Sequence, residues 1–352
     1  MSDATSRRKR DHLVPFLRGG VPPTGATTWL ECVRLVHMAL PEVAAEEVDL
    51  SATFCGHRLE APFLVTGMSG GTAEARDLNR AVAAAADRLG LAFGLGSQRA
   101  MVEKPELTAT YEVRDVAPRV FLVGNLGAVQ AAAMPVVAVR EMLDRVGADA
   151  LAVHLNAAQE LIQPEGDRDF RGLTQAIGRL ARELGRPVMV KEVGCGIGRE
   201  AGIALRDAGV RHVDVAGCGG TSFVRVEAAR AGRDRDPEAV ALRDWGIPTA
   251  AAVAEVAPLG FEVVASGGIR TGLDTARAIA LGATIAGVAA PVVTAWAGGG
   301  QEAVERLLTG MIEGLRDVMV LCGCRTLAGL RAAPRVVLDP LRTWIADRTA
   351  TP

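Results

Sequence analysis

Lysine is nearly missing from this chain. Of 39 basic residues only three are lysine, Lys9, Lys104 and Lys191, so arginine is the ordinary surface cation and each lysine invites a specific question. Excess charge is missing as well. The 39 basic residues face 41 acidic ones, a formal −2, which argues against a nucleic-acid binder and against a membrane-surface protein. No run of 18 residues is continuously apolar, and the first residues are too polar for a signal peptide, so no membrane span is expected. The six cysteines, Cys32, Cys55, Cys195, Cys218, Cys322 and Cys324, show neither paired zinc spacing nor the density of a disulfide framework. Free thiols in a reduced, cytosolic protein are the expectation.

What is abundant is apolar material, 49% of 352 residues, and it is distributed with a period. PFLVTG (62–67), LAFGLG (91–96), VFLVGN (120–125) and DALAVHL (149–155) begin about 29 residues apart. PVMVKEV (187–193), RHVDVAG (211–217), EVVASG (262–267) and TIAGVAA (284–290) continue the series. Alanine-rich amphipathic stretches such as AEARDLNRAVAAAADRLG lie between several of them. Strands alternating with helices must run parallel, and eight repeats predict an α/β fold, a (β/α)8 TIM barrel. The predicted organisation is an N-terminal arm and extension over 1–60, the barrel over 61–340 and a C-terminal tail over 341–352. Within the extension, LECVRLVHMALP reads as helix-like and DLSATF as a short strand. Residues 218–248, longer and more charged than the other connections, predict a loop excursion that moves or covers the site.

Active sites of such barrels lie at the C-terminal ends of the strands. Here those ends read Thr66-Gly67-Met68-Ser69, Ser97-Gln98-Arg99, Asn125, His154 with Gln159-Glu160, Lys191-Glu192, Asp214 with Gly219-Gly220-Thr221, Gly267-Gly268-Ile269-Arg270 and Ala289-Ala290. A purely structural barrel does not need polar or glycine-rich residues at every end. The stretch from Asp149 to Arg171 shows the change in one step, from a buried apolar run to imidazole, amide and carboxylate. A strand followed by a solvated loop is the plainer alternative there.

SGGIRTG after the seventh strand predicts an anion site, built from backbone N–H groups of the loop and of the helix start that follows. GCGIG (194–198) has the wrong spacing for a dinucleotide fingerprint and follows a strand ending in charge. Lys191 suits a compact cation beside a cofactor ring or a developing anion. An ion pair with Glu192 or a neighbouring carboxylate is its structural alternative, and a satisfied core histidine is that of His154. Asp214 reads as a carboxylate that holds a neighbour.

The motifs together resemble the flavin-dependent type 2 isopentenyl-diphosphate isomerases, over nearly the whole chain. RKRDH (8–12), ALPEV, TGMSGGT, GLGSQR, GNLGAVQ, VKEVGCGIGRE, DVAGCGGTS, WGIPTA and SGGIRTGLD carry the likeness. HLNAAQE with QPEGDRDFRG is the specific part, because other flavin barrels share the glycine loops but not that stretch.

The resemblance implies an FMN-binding barrel that interconverts isopentenyl and dimethylallyl diphosphate without net redox change, using reduced FMN, Mg²⁺ and NADPH as the flavin's reductant. It implies flavin contacts from Thr66, Gly67, Met68, Ser69, Ser97, Asn125, Lys191 and Thr221, with Gly267, Gly268, Ala289 and Ala290 holding the flavin phosphate. Substrate contacts would come from Arg8, Lys9, His12, Ser97, Gln98, Arg99 and Gln159. Gln159 and His154 would be catalytic, and Glu160 would ligate Mg²⁺. The partners implied are a small prenyl diphosphate and further copies of the chain, as tetramer or octamer, with no nucleic acid and no membrane. The basic arm, which alone reads as a solvated tail, then becomes part of the substrate clamp.

The residue types suit this chemistry. A diphosphate carries about three negative charges near neutrality, for which arginine, lysine and a hard cation on a carboxylate are the natural clamp. Two further readings share the flavin site: another FMN barrel such as a 2-hydroxy-acid oxidase or a nucleotide reductase, for which Cys218 is the one candidate thiol, and a relative acting on a different prenyl diphosphate. A non-catalytic flavin or prenyl-diphosphate sensor is the reading outside enzymes. The cysteines of FCGHRL and LCGCRT have no place in any of these readings.

Overall fold

The computed structural model of the chain describes residues 25–233 and 235–350, and the side chains of all but the last two of these. All eight predicted strands are present, as Phe63–Val65, Ala92–Gly94, Phe121–Gly127, Ala150–His154, Val188–Lys191, His212–Asp214, Glu262–Ala265 and Ile285–Val288. They are called the first to eighth barrel strands below. Each is parallel to its sequence neighbours, and the eighth pairs with the first through Gly287↔Leu64 and Val288↔Val65, which closes the barrel.

The short apolar runs encode this arrangement because the strands are buried on both faces. Outward residues such as Phe63, Leu122, Leu151 and Val263 pack beneath the surrounding helices. Inward residues, among them Leu64, Val123, Met189, Val264 and Ile285, fill the barrel interior. The helix Ala73–Arg88 shows the matching helical logic. Thr72 caps it by accepting from the Ala75 N–H at 3.1 Å, and Ala75, Leu78, Val82 and Ala86 recur at three- and four-residue spacing on its buried face.

The base of the barrel is plugged by the hairpin of Ala52–Phe54 and His57–Leu59. Phe54 and Leu59 are buried among the inward residues, and Phe54 meets Phe121 edge to face at 6.4 Å. Burying each contributes roughly 1.5–3 kcal/mol. The strand expected at DLSATF is this first hairpin arm.

Two expectations are corrected. LECVRLVHMALP does not form a helix: Leu30–Cys32 is one 3₁₀ turn, and Val33–Leu35 is a strand paired antiparallel with Arg335–Val337. The β-branched Val33 and Val36 here find a partner strand some 300 residues away, and that pairing overrides the helical spacing. The excursion after the sixth strand is not a loop but carries two helices, Phe223–Arg230 and Pro237–Leu242. Val224, Ala228 and Ala239 pack there on Ile162. The C-terminal tail is a helix, Leu341–Ala350, docked on Thr249–Val256, where Trp344 donates to the buried Glu255 at 2.7 Å. Among the described residues no helix is long and apolar enough to cross a membrane.

Candidate active site

A cavity of about 700 Å³ opens at the C-terminal ends of the barrel strands. Most of the predicted flavin and substrate residues line it: Thr66, Gly67, Met68, Ser69, Ser97, Arg99, Asn125, His154, Gln159, Glu160, Lys191, Thr221, Gly267, Gly268, Ala289 and Ala290. Strand register explains why distant residues meet. Gly127, His154, Lys191 and Asp214 are successive partners across the third to sixth strands and so stand side by side at the rim. Arg8, Lys9 and His12 lie outside the described residues.

Gln98 is the exception among the described candidates. Its side chain is fully buried and turned away from the cavity, with Oε1 accepting from the Asn125 N–H at 2.9 Å and Nε2 against Met101 Sδ at 3.3 Å. The Gln98 side chain therefore tethers the third strand and does not line the cavity. That tether matters to its neighbour. Asn125 Nδ2 donates to the Leu95 carbonyl at 3.0 Å, which leaves Oδ1 as acceptor for His154 Nδ1 at 2.8 Å. His154 thus carries its proton on Nδ1, with the ring held at the rim.

A second network fixes the amide and carboxylate predicted to do the chemistry. Gln159 Nε2 donates to Glu227 Oε1 at 2.8 Å, and Glu227 Oε2 accepts from Arg230 Nε at 2.7 Å. Asn156 Nδ2 donates to Glu160 Oε1 at 2.7 Å, while Glu160 Oε2 accepts from the Asp167 N–H at 2.9 Å. Both carboxylate oxygens of Glu160 keep a lone pair. A single oriented carboxylate at an open rim fits Mg²⁺, which keeps water and phosphate oxygens as its other ligands. Glu227 was not foreseen. It sits in the helix Phe223–Arg230 with no exposed surface, and a lone glutamate among valines and alanines, three residues before an arginine, was its only signal.

Lys191 and Glu192 do not pair through their side chains. Lys191 Nζ donates to the Glu192 backbone carbonyl at 2.6 Å. Glu192 Oε2 instead collects the N–H groups of Val193 and Gly194, each at 2.7 Å, and that of Cys195. Burial pushes its pKa up and the three N–H groups oppose that push. The GCGIG loop is a nest already filled by the protein's own carboxylate, so no phosphate is gripped there. Asp214, fully buried beside Lys191, accepts from Ser266 Oγ at 2.5 Å and so holds a neighbour, as expected. Desolvation raises its pKa, against the pull of Lys191 and Ser266.

The expected phosphate end combines a glycine loop with a helix start. The helix Gly272–Ala280 has its N-terminus capped by its own side chains, Thr271 and Asp274 accepting from each other's N–H groups. The cap uses the N–H groups of Thr271 and Asp274. The glycines remain as the cradle: Gly267 and Gly268 have φ 95° and 84°, and a Cβ on Gly268 would lie 2.8 Å from the Gly219 carbonyl. Ala289, at the head of the helix Ala290–Leu321, has no side-chain cap. Glycine backbone at the wall, with a buried lysine across the rim, fits a flavin carrying one phosphate.

Cys218 is buried and turned to the Asp244 carbonyl, and no cysteine lines the cavity among the described residues.

A parallel eightfold barrel with this mouth defines the class: an FMN-type flavin barrel. The sequence profile of the FMN-dependent dehydrogenases matches residues 128–335. Solved structures of mandelate oxidase share the fold. A variant with a monooxide FMN adduct matches with TM-score 0.63 and 21% identity, over 95% of this chain and 99% of that one. Another, with 2-hydroxy-phenylacetamide, matches with TM-score 0.65 and 22% identity, over 96% and 98%.

Sequence relatives are more specific. Isopentenyl-diphosphate delta-isomerase of Pyrococcus furiosus is 42% identical over 98% of this chain and 90% of its own length. The isomerase of Methanosarcina barkeri is 43% identical over 99% and 96%, and that of Aeropyrum pernix 45% over 96% and 91%. The chain belongs to the isopentenyl-diphosphate delta-isomerase family, in its FMN-dependent type 2 branch.

Proposed function

We propose that this chain interconverts isopentenyl and dimethylallyl diphosphate, with reduced FMN and Mg²⁺ bound and NADPH as the priming reductant. One observation carries the reading beyond family membership. The titratable groups lining the cavity among the described residues are Arg99, His154, Glu160, Lys191 and Arg270, so a single carboxylate is present and no thiol. Moving one proton off an allylic carbon and another onto a terminal alkene carbon needs strong, positioned acid–base groups in a dry site. FMN in its reduced state supplies such a group at N5 when bound. Gln159, its amide fixed by Glu227, holds the reacting carbons in place. His154, oriented by Asn125, stands at the same mouth. Glu160 holds Mg²⁺ against the diphosphate, and Arg99 adds positive charge at the same rim. Lys191 supplies a fixed cation to the flavin side of the mouth.

The oxidase reading rests on the fold alone, and the burial of Cys218 argues against a cysteine-dependent reductase. A relative acting on a different prenyl diphosphate remains the second reading within the family. Assembly into a homo-oligomer is supported by the exposed apolar residues Met38, Leu40, Leu321 and Val336 around the edge pair Val33–Leu35 and Arg335–Val337. The near-neutral charge and free thiols suit a cytosolic setting.

The test is made in D₂O with the NADPH-primed holoenzyme. Deuterium should enter the product methyl group through many turnovers while NADPH is not consumed in proportion, and the pigment released by heat should be FMN. One NADPH oxidised per product would make the chain an ordinary flavin oxidoreductase. Full activity with oxidised flavin and no reductant would remove the flavin from the chemistry.

A further inference from the structure

The cysteine of FCGHRL has no part in the flavin mouth, and the fold places it at the opposite end of the barrel. Cys55 occupies the turn of the plug hairpin, between Ala52–Phe54 and His57–Leu59. Its ligand atom lies within 4.8 Å of those of His212 and Glu262, all three residues being half-buried. His212 and Glu262 are register partners at the starts of the sixth and seventh strands, so a rigid parallel ladder sets their spacing.

We propose that Cys55, His212 and Glu262 form a structural binding site for a borderline divalent metal of the zinc type. The ligand set is the first support. Thiolate, imidazole and carboxylate suit Zn²⁺, whereas Mg²⁺ avoids sulfur. Spacing is the second. His212 Nε2 and Glu262 Oε2 are 3.5 Å apart, and two ligands on one tetrahedral zinc, each at about 2.0–2.1 Å, lie roughly 3.4 Å from one another.

Orientation is the third. His212 Nδ1 faces the Val188 carbonyl at 3.4 Å, and the ring is held edge-on against Phe54 at 5.9 Å. A backbone carbonyl behind the far nitrogen is the usual second partner of a ligating histidine, and it leaves Nε2 to donate its lone pair inward. Glu262 Oε2 accepts from the Cys55 N–H at 2.7 Å, which brings the thiol's own backbone to the carboxylate. Cys55 also has φ 52°, in the left-handed region that glycine, asparagine or aspartate would occupy at less cost in a two-residue hairpin. On binding, the Cys55 thiol passes its proton to the buffer and no electron is transferred.

Three protein ligands leave the fourth position to water. The metal would tie the plug hairpin to two barrel strands at the base, the end of this fold concerned with stability and not turnover. The inference is therefore independent of the reaction at the mouth.

The probe is Zn²⁺ alone, added to the holoenzyme in excess Mg²⁺ so that Glu160 is occupied, and followed by dialysis and metal analysis. The parent should retain one more zinc per chain than Cys55→Ser or His212→Asn, while Glu160→Gln should match the parent. Zn²⁺ should slow alkylation of Cys55, read on its peptide by mass spectrometry, by about tenfold or more. It should also raise the thermal midpoint of the parent but not of Cys55→Ser. Equal zinc content in the parent and both base variants would overturn the site, as would a zinc lost in Glu160→Gln but kept in Cys55→Ser. Where the hairpin shields Cys55 from the reagent with and without Zn²⁺, the zinc content decides alone.

Discussion

Glu227 offers the sharpest test of how the mouth works, because it touches the proposed chemistry through Gln159. It is fully buried, and its two oxygens divide between Gln159 Nε2 at 2.8 Å and Arg230 Nε at 2.7 Å. Replacing it by glutamine keeps the volume and removes the charge. A hydrogen bond to a charged partner is worth about 1.5–3 kcal/mol. If that energy serves to hold the Gln159 amide in its reacting orientation, its loss lowers kcat by roughly 10- to 150-fold. KM should move much less, because the interaction counts mainly in the transition state.

Stability should fall too, although the pair is cushioned. Arg230 keeps Glu165 as a second partner at 2.6 Å, so the loss should be smaller than the 3–5 kcal/mol typical of orphaning a buried charge. The assay is steady-state turnover of the NADPH-primed Glu227→Gln variant beside Gln159→Ala, with the flavin spectrum and thermal midpoint as controls. The two variants should lower kcat alike, and the double variant should cost little more than either alone, since both act through one amide. A well-folded Glu227→Gln enzyme with kcat within about twofold of the parent would refute the positioning role.

The other expectations follow from separate parts of the site. Lys191→Ala should loosen FMN roughly tenfold or more, read as flavin lost on dialysis, because it removes a buried cation at the mouth and leaves Asp214 without its counter-charge. Glu160→Gln should raise the Mg²⁺ concentration needed for half-maximal turnover while sparing the flavin spectrum. An unchanged Mg²⁺ response would place the ion elsewhere. Deleting residues 1–12 should raise KM for the diphosphate and leave FMN content alone, as Arg8, Lys9 and His12 are proposed to clamp only the substrate.

The eight strands were legible because most are short apolar runs, as burial on both faces requires. The rim residues were legible for the same reason: a polar residue ending such a run has to leave the barrel at its open end. His154, Lys191 and the pair Gly267–Gly268 needed no partner to be recognised. The family likeness added the roles proposed for Gln159 and Glu160, which periodicity does not carry.

Other features had no local signature. Gln98 and Ser97 are adjacent in the chain, yet one faces the core and the other the cavity, and only the packing of Met101 and Asn125 settles which. The capping of Gly272–Ala280 by Thr271 and Asp274 was written in TGLD, but the rotamers that complete its two hydrogen bonds come only with the fold. Glu227 reaches Gln159 across 68 residues and Glu262 reaches Cys55 across 207. By itself the sequence determined the barrel, its polar rim and its family, since local hydrophobic period and motif identity survive without knowledge of distant contacts. Tertiary structure alone decided which amide is held by which carboxylate, and that a cysteine, a histidine and a glutamate meet at the base. Those pairings exist only once barrel closure brings non-neighbouring strands, the plug hairpin and the excursion helices into register.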